Sequence, residues 1–567
     1  MSNADLSRRG PMSSCWLFIV IALAIAAGRI AVVSSKEGDT AFLSANDRSR
    51  WATVASLVEH RTYAIDQQVA ISDPIKRNRR PWNSIDKVRH LGRDGKQHFY
   101  SSKPPLLPTM IAGIYAVVHA ITGMTLTDQP IYLARILLAL VNLPLLAMFL
   151  VATIVSIDRI CKRVLAKHGD QHDLLHRDWI VRFAGASCCF GTMVLPFAIS
   201  LNNHLPAAAA TAVAMCIYLV AADRLAMLNQ CTDESDNGSE QRNPSEPQRQ
   251  VPWRWWLIAG MAAAMAAANE LPALSMMTFW VVLYGWISRR SLLPMVVGIA
   301  VVAIAFFGTN WLAHQSLRPA YAHRGNGAVI QSYPEQASLA KPDAALVDNI
   351  SDTLRAQEQI DPAAAITITD SDEKDRWIAR AGDQQFAVLR SATGWQLARW
   401  DDWYEYPGSY WRPENLRGVD RGEPSRTTYF LHMTVGHHGI FSLTPLWVLV
   451  PVGLWFGLVS GAWDHRRLMA AILISTLICC LFYLARPEID RNYGGVSVCF
   501  RWLLWFAPLW LAALTPALQK WGRSSVGRLA VGGLLALSVF SMATALSSPW
   551  QSPWLYRFWT FLGWIDA

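Results

Sequence analysis

Two polar positions early in the chain carry residue types that can perform chemistry. Asp47 begins an amphipathic segment, and a carboxylate in such a place can act as a general base. Lys103 precedes Pro104 and Pro105, which favour an extended backbone followed by the start of a helix. A lysine at a helix N-terminus suits an anionic ligand, because free N–H groups point the same way. We therefore interpret residues 47–105 as an active-site loop.

Each of these residues also has an ordinary structural explanation. Ser44, Asn46 and Asp47 all suit the start of a helix predicted over 47–59, where a side-chain oxygen caps the backbone. Lys103 could instead lie along apolar surface and extend its ammonium group to the membrane interface. The same loop contains two rival carboxylates, Glu37 and Asp39. Local sequence does not decide between capping and catalysis.

Three arginines late in the chain form a second candidate group. Arg486 and Arg491 lie in a short polar loop, and Arg501 follows at the start of the next apolar run. Arginines at a membrane surface suit bidentate binding of a phosphate. The alternative is that they form ion pairs with Glu488 and Asp490, which share the loop.

Two further polar positions carry less information. Glu270 is an ionisable group in apolar sequence, which makes it a candidate site residue, although the tip of a hairpin also suits a solvated glutamate. His437 and His438 are adjacent, and adjacent side chains seldom ligate one ion. Because no Cys, His and carboxylate set shows ligand spacing, the sequence assigns no metal.

The composition predicts an integral membrane protein. Of 567 residues, 52% are hydrophobic and 16% are charged, against about 25% charged residues in soluble domains. Apolar runs of about 18 to 27 residues are long enough to cross a bilayer as helices. The net charge of +9 arises from loops between these runs, so no nucleic-acid partner is expected. The cysteines lie in spans, at their ends or in inner loops, so no disulfide framework is expected.

The positions of the charges predict the topology. Arg8 and Arg9 precede the first span and place residues 1–14 in the cytoplasm. The loop after span 131–157 is basic and therefore cytoplasmic, which requires that 105–121 form a half-buried external helix instead of a span. The predicted organisation is a membrane module over 15–312 that includes the first external loop 35–130, a long external segment 313–437, C-terminal spans over 438–547 and an external tail 548–567.

We thus predict an all-α polytopic bundle of about eleven transmembrane helices. The helix over 47–59 is expected to lie on the membrane surface. Basic residues over 76–96 are expected to contact anionic lipid headgroups. The polar inner loop 223–253 is expected to be disordered. The predicted spans are 15–33, 131–157, 179–199, 205–222, 254–268, 271–287, 292–312, 440–460, 468–485, 498–518 and 529–547.

The first external loop resembles that of the GT-C superfamily of membrane glycosyltransferases. It is most similar to the branch of protein O-mannosyltransferases and aminoarabinose transferases (glycosyltransferase family 39-like). There, an acidic residue opens a helix with an Arg-aromatic pair, and a Gly-x-x-x-Phe/Tyr-x-x-Lys-Pro-Pro segment follows. The matching residues here are Asp47, Arg50-Trp51, Gly95 to Pro105, and Tyr132-Leu133-Ala134-Arg135 at the next span. The resemblance covers the first 220 residues well, the late spans loosely and 313–430 not at all.

The resemblance implies that a sugar moves from a polyprenyl-phosphate-linked donor to an acceptor at the outer face of a bacterial-type inner membrane. Asp47 would be the base, and Lys103 would hold the donor phosphate. The chain departs from many members in its second external loop, where Asn203 and His204 stand in place of an acidic residue. The other candidate substrate-binding residues are Arg50, Tyr100, Asn203, His204, Arg486, Arg491 and Arg501. No cofactor is implied, a role for a divalent metal stays open, and the acceptor is a lipid, a glycan or a protein.

Two other function classes are compatible with a membrane protein of this kind. A transporter or lipid flippase usually shows repeated halves or charges at the membrane midplane, and the sequence shows no internal repeat. A scaffolding protein would use the 313–430 segment to bind partners. The tryptophan-rich stretch from Trp395 to Trp411 could equally accept a sugar, because aromatic faces stack on sugar rings.

Overall fold

The structure is a computed structural model that is mostly helical. It describes residues 11–73, 76, 78–165, 171–236, 251–334, 341–358, 360–361, 363–371, 375–391, 393–460 and 463–565. Arg8 and Arg9, on which the predicted side of the N-terminus rests, lie outside these residues.

The helices follow the apolar runs of the sequence. They are α1 Pro11–Val32, α2 Ala45–Ala55, α3 Asp66–Ala70, α4 Leu106–Thr122, α5 Tyr132–Leu165, α6 Gln171–Phe190, α7 Val194–Phe197, α8 His204–Asp236, α9 Trp253–Asn269, α10 Leu274–Ile287, α11 Leu292–His314, α12 Ala344–Gln357, α13 Arg426–Thr434, α14 Ile440–Leu443, α15 Leu449–Ser460, α16 Trp463–Leu484, α17 Ala507–Ala513, α18 Thr515–Trp521, α19 Ser525–Ala545 and α20 Trp554–Phe561.

Eight helical segments within the described residues are long and apolar enough to cross a membrane, which supports an integral membrane protein. They are Ser14–Val32, Tyr132–Arg163, Leu174–Phe197, His204–Leu228, Arg289–His314, His465–Leu484, Arg501–Trp521 and Ser525–Ala545. Three shorter apolar segments also occur: Leu106–Thr122, Leu271–Ile287 and Pro445–Ser460. The predicted total of about eleven spans therefore stays a prediction.

Two of the predicted spans change helix type along their length, at or near prolines. In the span predicted over 498–518, a 3₁₀ segment Arg501–Phe506 precedes α17 and α18. The span predicted over 440–460 consists of α14, a 3₁₀ turn Pro445–Val448 and α15. Proline lacks a backbone donor and clashes with the preceding turn, so helices restart at it.

The prediction of disorder over 223–253 is wrong for the part that the structure describes. Helix α8 continues to Asp236, and α9 begins at Trp253. Residues 237–250 lie outside the described residues. The polar residues 223–236 form the end of a long helix, and polarity alone does not distinguish a helix end from a loop.

The chain divides into two compact units. The first comprises residues 1–47, 128–306 and 417–567, and the second comprises 48–127 and 307–416. In the first unit, small residues allow close helix packing. A Cβ at Gly260 would lie 2.1 Å from the carbonyl oxygen of Met295, and one at Gly298 would lie 2.2 Å from that of Leu257. Backbone thus meets backbone where α9 crosses α11.

The second unit contains two antiparallel sheets, so the prediction of an all-α fold is wrong there. Strands β1 (Lys87–Leu91) and β2 (Gln97–Ser101) form a hairpin with Lys87 opposite Ser101. A five-stranded sheet has the order β3-β7-β6-β5-β4. Its strands are β3 Asn326–Tyr333, β4 Ile366–Asp370, β5 Arg376–Ala381, β6 Gln384–Ser391 and β7 Gly394–Trp400.

Helix α12 covers the larger sheet. Its Leu346, Ile350 and Leu354 recur at helical spacing and are buried with Trp395 and Leu397 of β7. The helix begins at an N-cap, because the side chain of Asp343 accepts the N–H of Leu346. The tryptophan-rich stretch therefore supplies core residues to a folded sheet.

The predicted helix over 47–59 is present as α2 and a π-helical turn over Ser56–His60. Its location on the membrane surface stays a prediction. Trp51, Val54 and Ala55, which form its apolar face, are buried in the protein and therefore pack on other side chains instead of lipid.

Candidate functional site

The side chain of Asp47 is held by the backbone at the start of α2. Its Oδ2 accepts the N–H of Leu43 at 2.9 Å, and its Oδ1 accepts the N–H of Ser44 at 2.9 Å. The N–H of Asp47 donates to Oγ of Ser44 at 3.1 Å. Reciprocal bonds of this kind form a capping box. The structural role considered for Asp47 is thus present.

This arrangement also determines the chemistry open to the carboxylate. Asp47 is fully buried, and hydrogen bonds to the ionised form of a carboxylate favour that form. The two bonds therefore hold the carboxylate rigidly, with each oxygen facing a backbone N–H group. Such a group can still take a proton that becomes acidic during a reaction.

In the second unit, Lys103 has a carboxylate partner that the sequence analysis did not identify. Its Nζ lies 3.0 Å from Oδ1 of Asp86, and both side chains are mostly buried. Asp86 directly precedes β1 and Lys103 follows β2, so the hairpin brings the two residues together. A phosphate that binds Lys103 must share this cation with Asp86.

Tyr100 and Arg50 of the same unit are both buried. The Tyr100 ring stacks on His90 with 4.2 Å between centroids, and His90 stacks on Trp403 at 4.0 Å. Burial raises the pKa of Tyr100 to about 12, so its phenol remains a hydrogen-bond donor at neutral pH. Nε2 of His90 lies 3.1 Å from Nδ1 of His314. Tyr100 is thus part of an aromatic stack.

In the first unit, three of the predicted binding residues lie together around Glu270. Nδ1 of His204 is hydrogen-bonded to Oε1 of Glu270. The amide of Asn203 donates to the same oxygen at 2.7 Å. Nη1 of Arg501 lies 2.6 Å from Nε2 of His204. Asn203, His204 and Arg501 thus converge, although 297 positions separate His204 from Arg501.

The bonding around His204 determines its tautomer. Arginine has only donors, so Nε2 of His204 accepts from Arg501 and Nδ1 carries the hydrogen donated to Glu270. The histidine therefore lies neutral between an anion and a cation. A buried carboxylate and guanidinium linked in this way compensate each other's charge.

Arg501 is positioned by the glycine-containing turn that precedes it. Its Nε donates to the carbonyl oxygen of Gly494 at 2.7 Å, and its guanidinium lies 4.9 Å from the ring centre of Trp550. Gly494 has φ +93°, and a Cβ there would lie 2.5 Å from Nε of Arg501. The approach therefore requires glycine.

The other two arginines have the local partners considered as the alternative. Arg486 pairs with Asp490 at 2.5 Å. Arg491 donates to the carbonyl oxygen of Pro424 at 2.8 Å and lies 3.9 Å from Glu488. These contacts join the loop to itself and to the segment before α13. A role for Arg486 and Arg491 in binding phosphate stays a prediction.

Sequence reasoning missed two sets of residues. Asp86 carries no motif signal. Glu423, His432 and His437 offer ligand atoms that all lie within 4.8 Å of one another, the one such group found among the described residues. From the sequence we considered only the adjacent pair His437 and His438, and not His432, which lies five residues before His437. A carboxylate nine residues before a histidine was too weak a signal to find.

The comparisons with known proteins give a distant structural likeness. No protein-family model and no curated protein matches the sequence. Two solved structures of the oligosaccharyltransferase of Archaeoglobus fulgidus are similar. One, described as a complex with Zn and sulfate, is 14% identical with a TM-score of 0.45, and the match covers 96% of this chain and 55% of that chain.

The other structure is described as tethered through a disulfide bond to an acceptor peptide containing the NVT sequon. It is 12% identical with a TM-score of 0.41, and the match covers 97% of this chain and 57% of that chain. The present chain therefore spans little more than half the length of either. At this similarity the likeness does not by itself establish a common fold.

Proposed function

We propose that this chain is a membrane glycosyltransferase of the GT-C type. It moves a sugar from a polyprenyl-phosphate donor to an acceptor at the outer face of the membrane. The observation that carries the proposal is the buried Asp47 carboxylate, which backbone N–H groups fix shortly after the first long apolar helix. In this proposal the fixed carboxylate serves as the base for a lipid-linked donor.

In the proposed reaction, an acceptor hydroxyl attacks the anomeric carbon of the donor sugar. The new bond joins the acceptor oxygen to that carbon, and the bond from the carbon to the phosphate oxygen breaks. The electron pair of the broken bond leaves with polyprenyl phosphate, and the acceptor proton passes to Asp47. Because phosphate has a second pKa of about 6, the leaving group needs a cation and no second carboxylic acid.

Lys103 supplies the cation for the phosphate in this proposal. Its ammonium already faces Asp86 at 3.0 Å, so the donor phosphate competes with a carboxylate for it. The donor is a phosphodiester with one negative charge. When its bond to the sugar breaks, the polyprenyl phosphate that leaves carries up to about two negative charges, so its attraction to Lys103 grows as the reaction proceeds. Membrane lipids, the donor and the unidentified acceptor are the expected partners.

The decisive experiment measures sugar transfer by purified chain with a panel of polyprenyl-phosphate hexoses and pentoses. Asp47→Asn is expected to lower the rate by about a hundredfold or more, because the amide takes no proton. The amide oxygen keeps one of the two hydrogen bonds of the cap, so folding of the variant is checked alongside its activity. Asp39→Asn, in the same loop, is the matched control and should retain the rate. Unchanged transfer in a folded Asp47→Asn variant would remove the mechanism.

A transporter or lipid flippase is the second candidate, and one observation favours it. Glu270, His204 and Arg501 form a linked ionisable set buried between helices, and such sets occur in proton and substrate pathways. Movement of a labelled polyprenyl phosphate across proteoliposomes without any covalent product, lost in His204→Gln, would support transport over sugar transfer.

A further inference from the structure

The segment around α13 brings one carboxylate and two imidazoles together. Glu423 lies before the helix, His432 lies in its last turn, and His437 follows it. One ligand atom from each residue lies within 4.8 Å of the other two. All three belong to the first unit. We propose that Glu423, His432 and His437 form a binding site for a divalent ion of the zinc class.

The donor types favour zinc among the common metals. Two imidazole nitrogens and one carboxylate oxygen suit Zn²⁺, whereas Ca²⁺ and Mg²⁺ prefer sets of oxygens. Zinc lies about 2.0–2.2 Å from such atoms, so two ligands of one ion are at most roughly 4.3 Å apart. Small side-chain rotations therefore suffice to close the three groups on an ion.

Neighbouring side chains orient the proposed ligands. The hydroxyl of Tyr493 donates to Oε1 of Glu423 at 2.9 Å. Nδ1 of His437 is hydrogen-bonded to Nδ1 of His438, so His437 would ligate through Nε2. Partners that hold the second atom of each ligand are typical of metal sites.

The ring of His432 is positioned but is not committed to a protein partner. It stacks on His437 with 4.0 Å between centroids and 22° between planes. Its Nδ1 is buried and has no hydrogen-bond partner among the described residues. A buried ring nitrogen without a partner is costly, and reorientation of the ring onto a metal would remove that cost.

The site would cross-link a weak point of the fold. Helix α13 has only nine residues, and helices shorter than about 12 residues are marginal without outside support. An ion held by Glu423 and His437 would join the segment before the helix to the segment after it. Because the N–H of Glu423 donates to the carbonyl oxygen of Arg491 at 2.8 Å, the ion would also strengthen the attachment of this segment to the 486–497 loop.

The test is zinc binding by the full-length chain in detergent, with any purification tag removed and bound metal stripped by a chelator. Competition with a chromophoric chelator should show one high-affinity zinc per chain. Glu423→Gln and His432→Gln should each weaken that site by about tenfold or more. The matched control is His60→Gln, at an exposed histidine of the second unit, which should bind zinc as the wild type does.

Two measurements keep the test independent of damage to the fold. Zinc should raise the melting temperature of the wild type, and a chelator should reverse the rise. Tyr493→Phe keeps the ring but removes the donor to Glu423, and should weaken binding about tenfold. The proposal is overturned if the wild type binds no stoichiometric zinc, or if binding is unchanged in Glu423→Gln, His432→Gln and Tyr493→Phe together.

Discussion

At the scale of single residues, the most informative contacts join positions that no motif links. Lys103 faces Asp86 across the β1–β2 hairpin, and His204 faces both Glu270 and Arg501. Each pair leaves a charged group compensated inside the protein. A ligand that binds Lys103 or His204 must displace a partner that the protein already provides. Substitution of that partner should therefore change the affinity for the ligand.

The Lys103–Asp86 pair makes this control measurable. We expect Asp86→Asn to tighten binding of a polyprenyl phosphate about threefold to tenfold, because removal of a partly buried competitor returns roughly 1 kcal/mol. Lys103→Ala should abolish saturable binding. Binding to the purified chain is measured by equilibrium partition of a fluorescent lipid phosphate. Equal affinities in the wild type and Asp86→Asn would show that Asp86 does not compete with the phosphate, and saturable binding by Lys103→Ala would show that the phosphate does not use Lys103.

His90 gives the second unit a dependence on pH. Burial is the largest of several effects that lower its pKa from 6.5 to about 4. As the pH falls from 6.5 towards 4, the unfolded chain binds a proton that the folded chain does not. The folded state should therefore lose up to about 3 kcal/mol of stability over this window, and keep it above pH 6.5.

Hydrogen exchange of the β1–β2 peptides, corrected for the intrinsic effect of pH, measures this loss. His90→Phe preserves an aromatic ring between Tyr100 and Trp403 and should flatten the profile. If the variant and the wild type lose protection equally on acidification, His90 is not the responsible group.

At the scale of elements, the crossing of α9 and α11 depends on glycine. Gly298→Ala would place its Cβ 2.2 Å from the carbonyl oxygen of Leu257, and backbone cannot move aside as a flexible side chain does. We expect a loss of about 1–3 kcal/mol, seen as a lower melting temperature in detergent. Gly308→Ala, in the same helix with nothing within 4 Å of the new Cβ, is the control. A melting temperature equally reduced in both variants would contradict the crossing.

Helix positions were largely predictable from the sequence, whereas sheets and helix breaks were not. Apolar runs predicted the helices because burial in a membrane requires about 20 apolar residues in a row. Strands β3 to β7 lie in the segment 313–437, for which the sequence analysis predicted only an external location. Phe386, Ala387 and Val388 of β6 are consecutive apolar residues, so the alternation of apolar and polar residues that indicates a strand is absent there. The convergence of His204 on Glu270 depends on tertiary contacts, which local pattern does not contain.

At the scale of the whole molecule, the charge pattern predicts which loops face outward. Glu37, exposed in the loop after α1, should be external, and Arg290, exposed between α10 and α11, should be internal. In spheroplasts, Glu37→Cys should react with an impermeant maleimide, and Arg290→Cys should react only after permeabilisation. The wild type measures the background of native cysteines. Reaction of both variants in intact spheroplasts would reverse the predicted topology.

The division of the second unit into two chain segments has a consequence for biosynthesis. Residues 48–127 and 307–416 form one unit, yet 128–306 lie between them in the chain. A ribosome adding about 5–20 residues per second needs on the order of ten to forty seconds to cross that interval. The N–H of Arg89 has no access to the carbonyl oxygen of Trp403, which it contacts at 2.8 Å in the finished protein, until synthesis has also passed Trp403. The early hairpin must therefore survive translation alone, and any stall during insertion of the intervening helices prolongs its exposure to proteases.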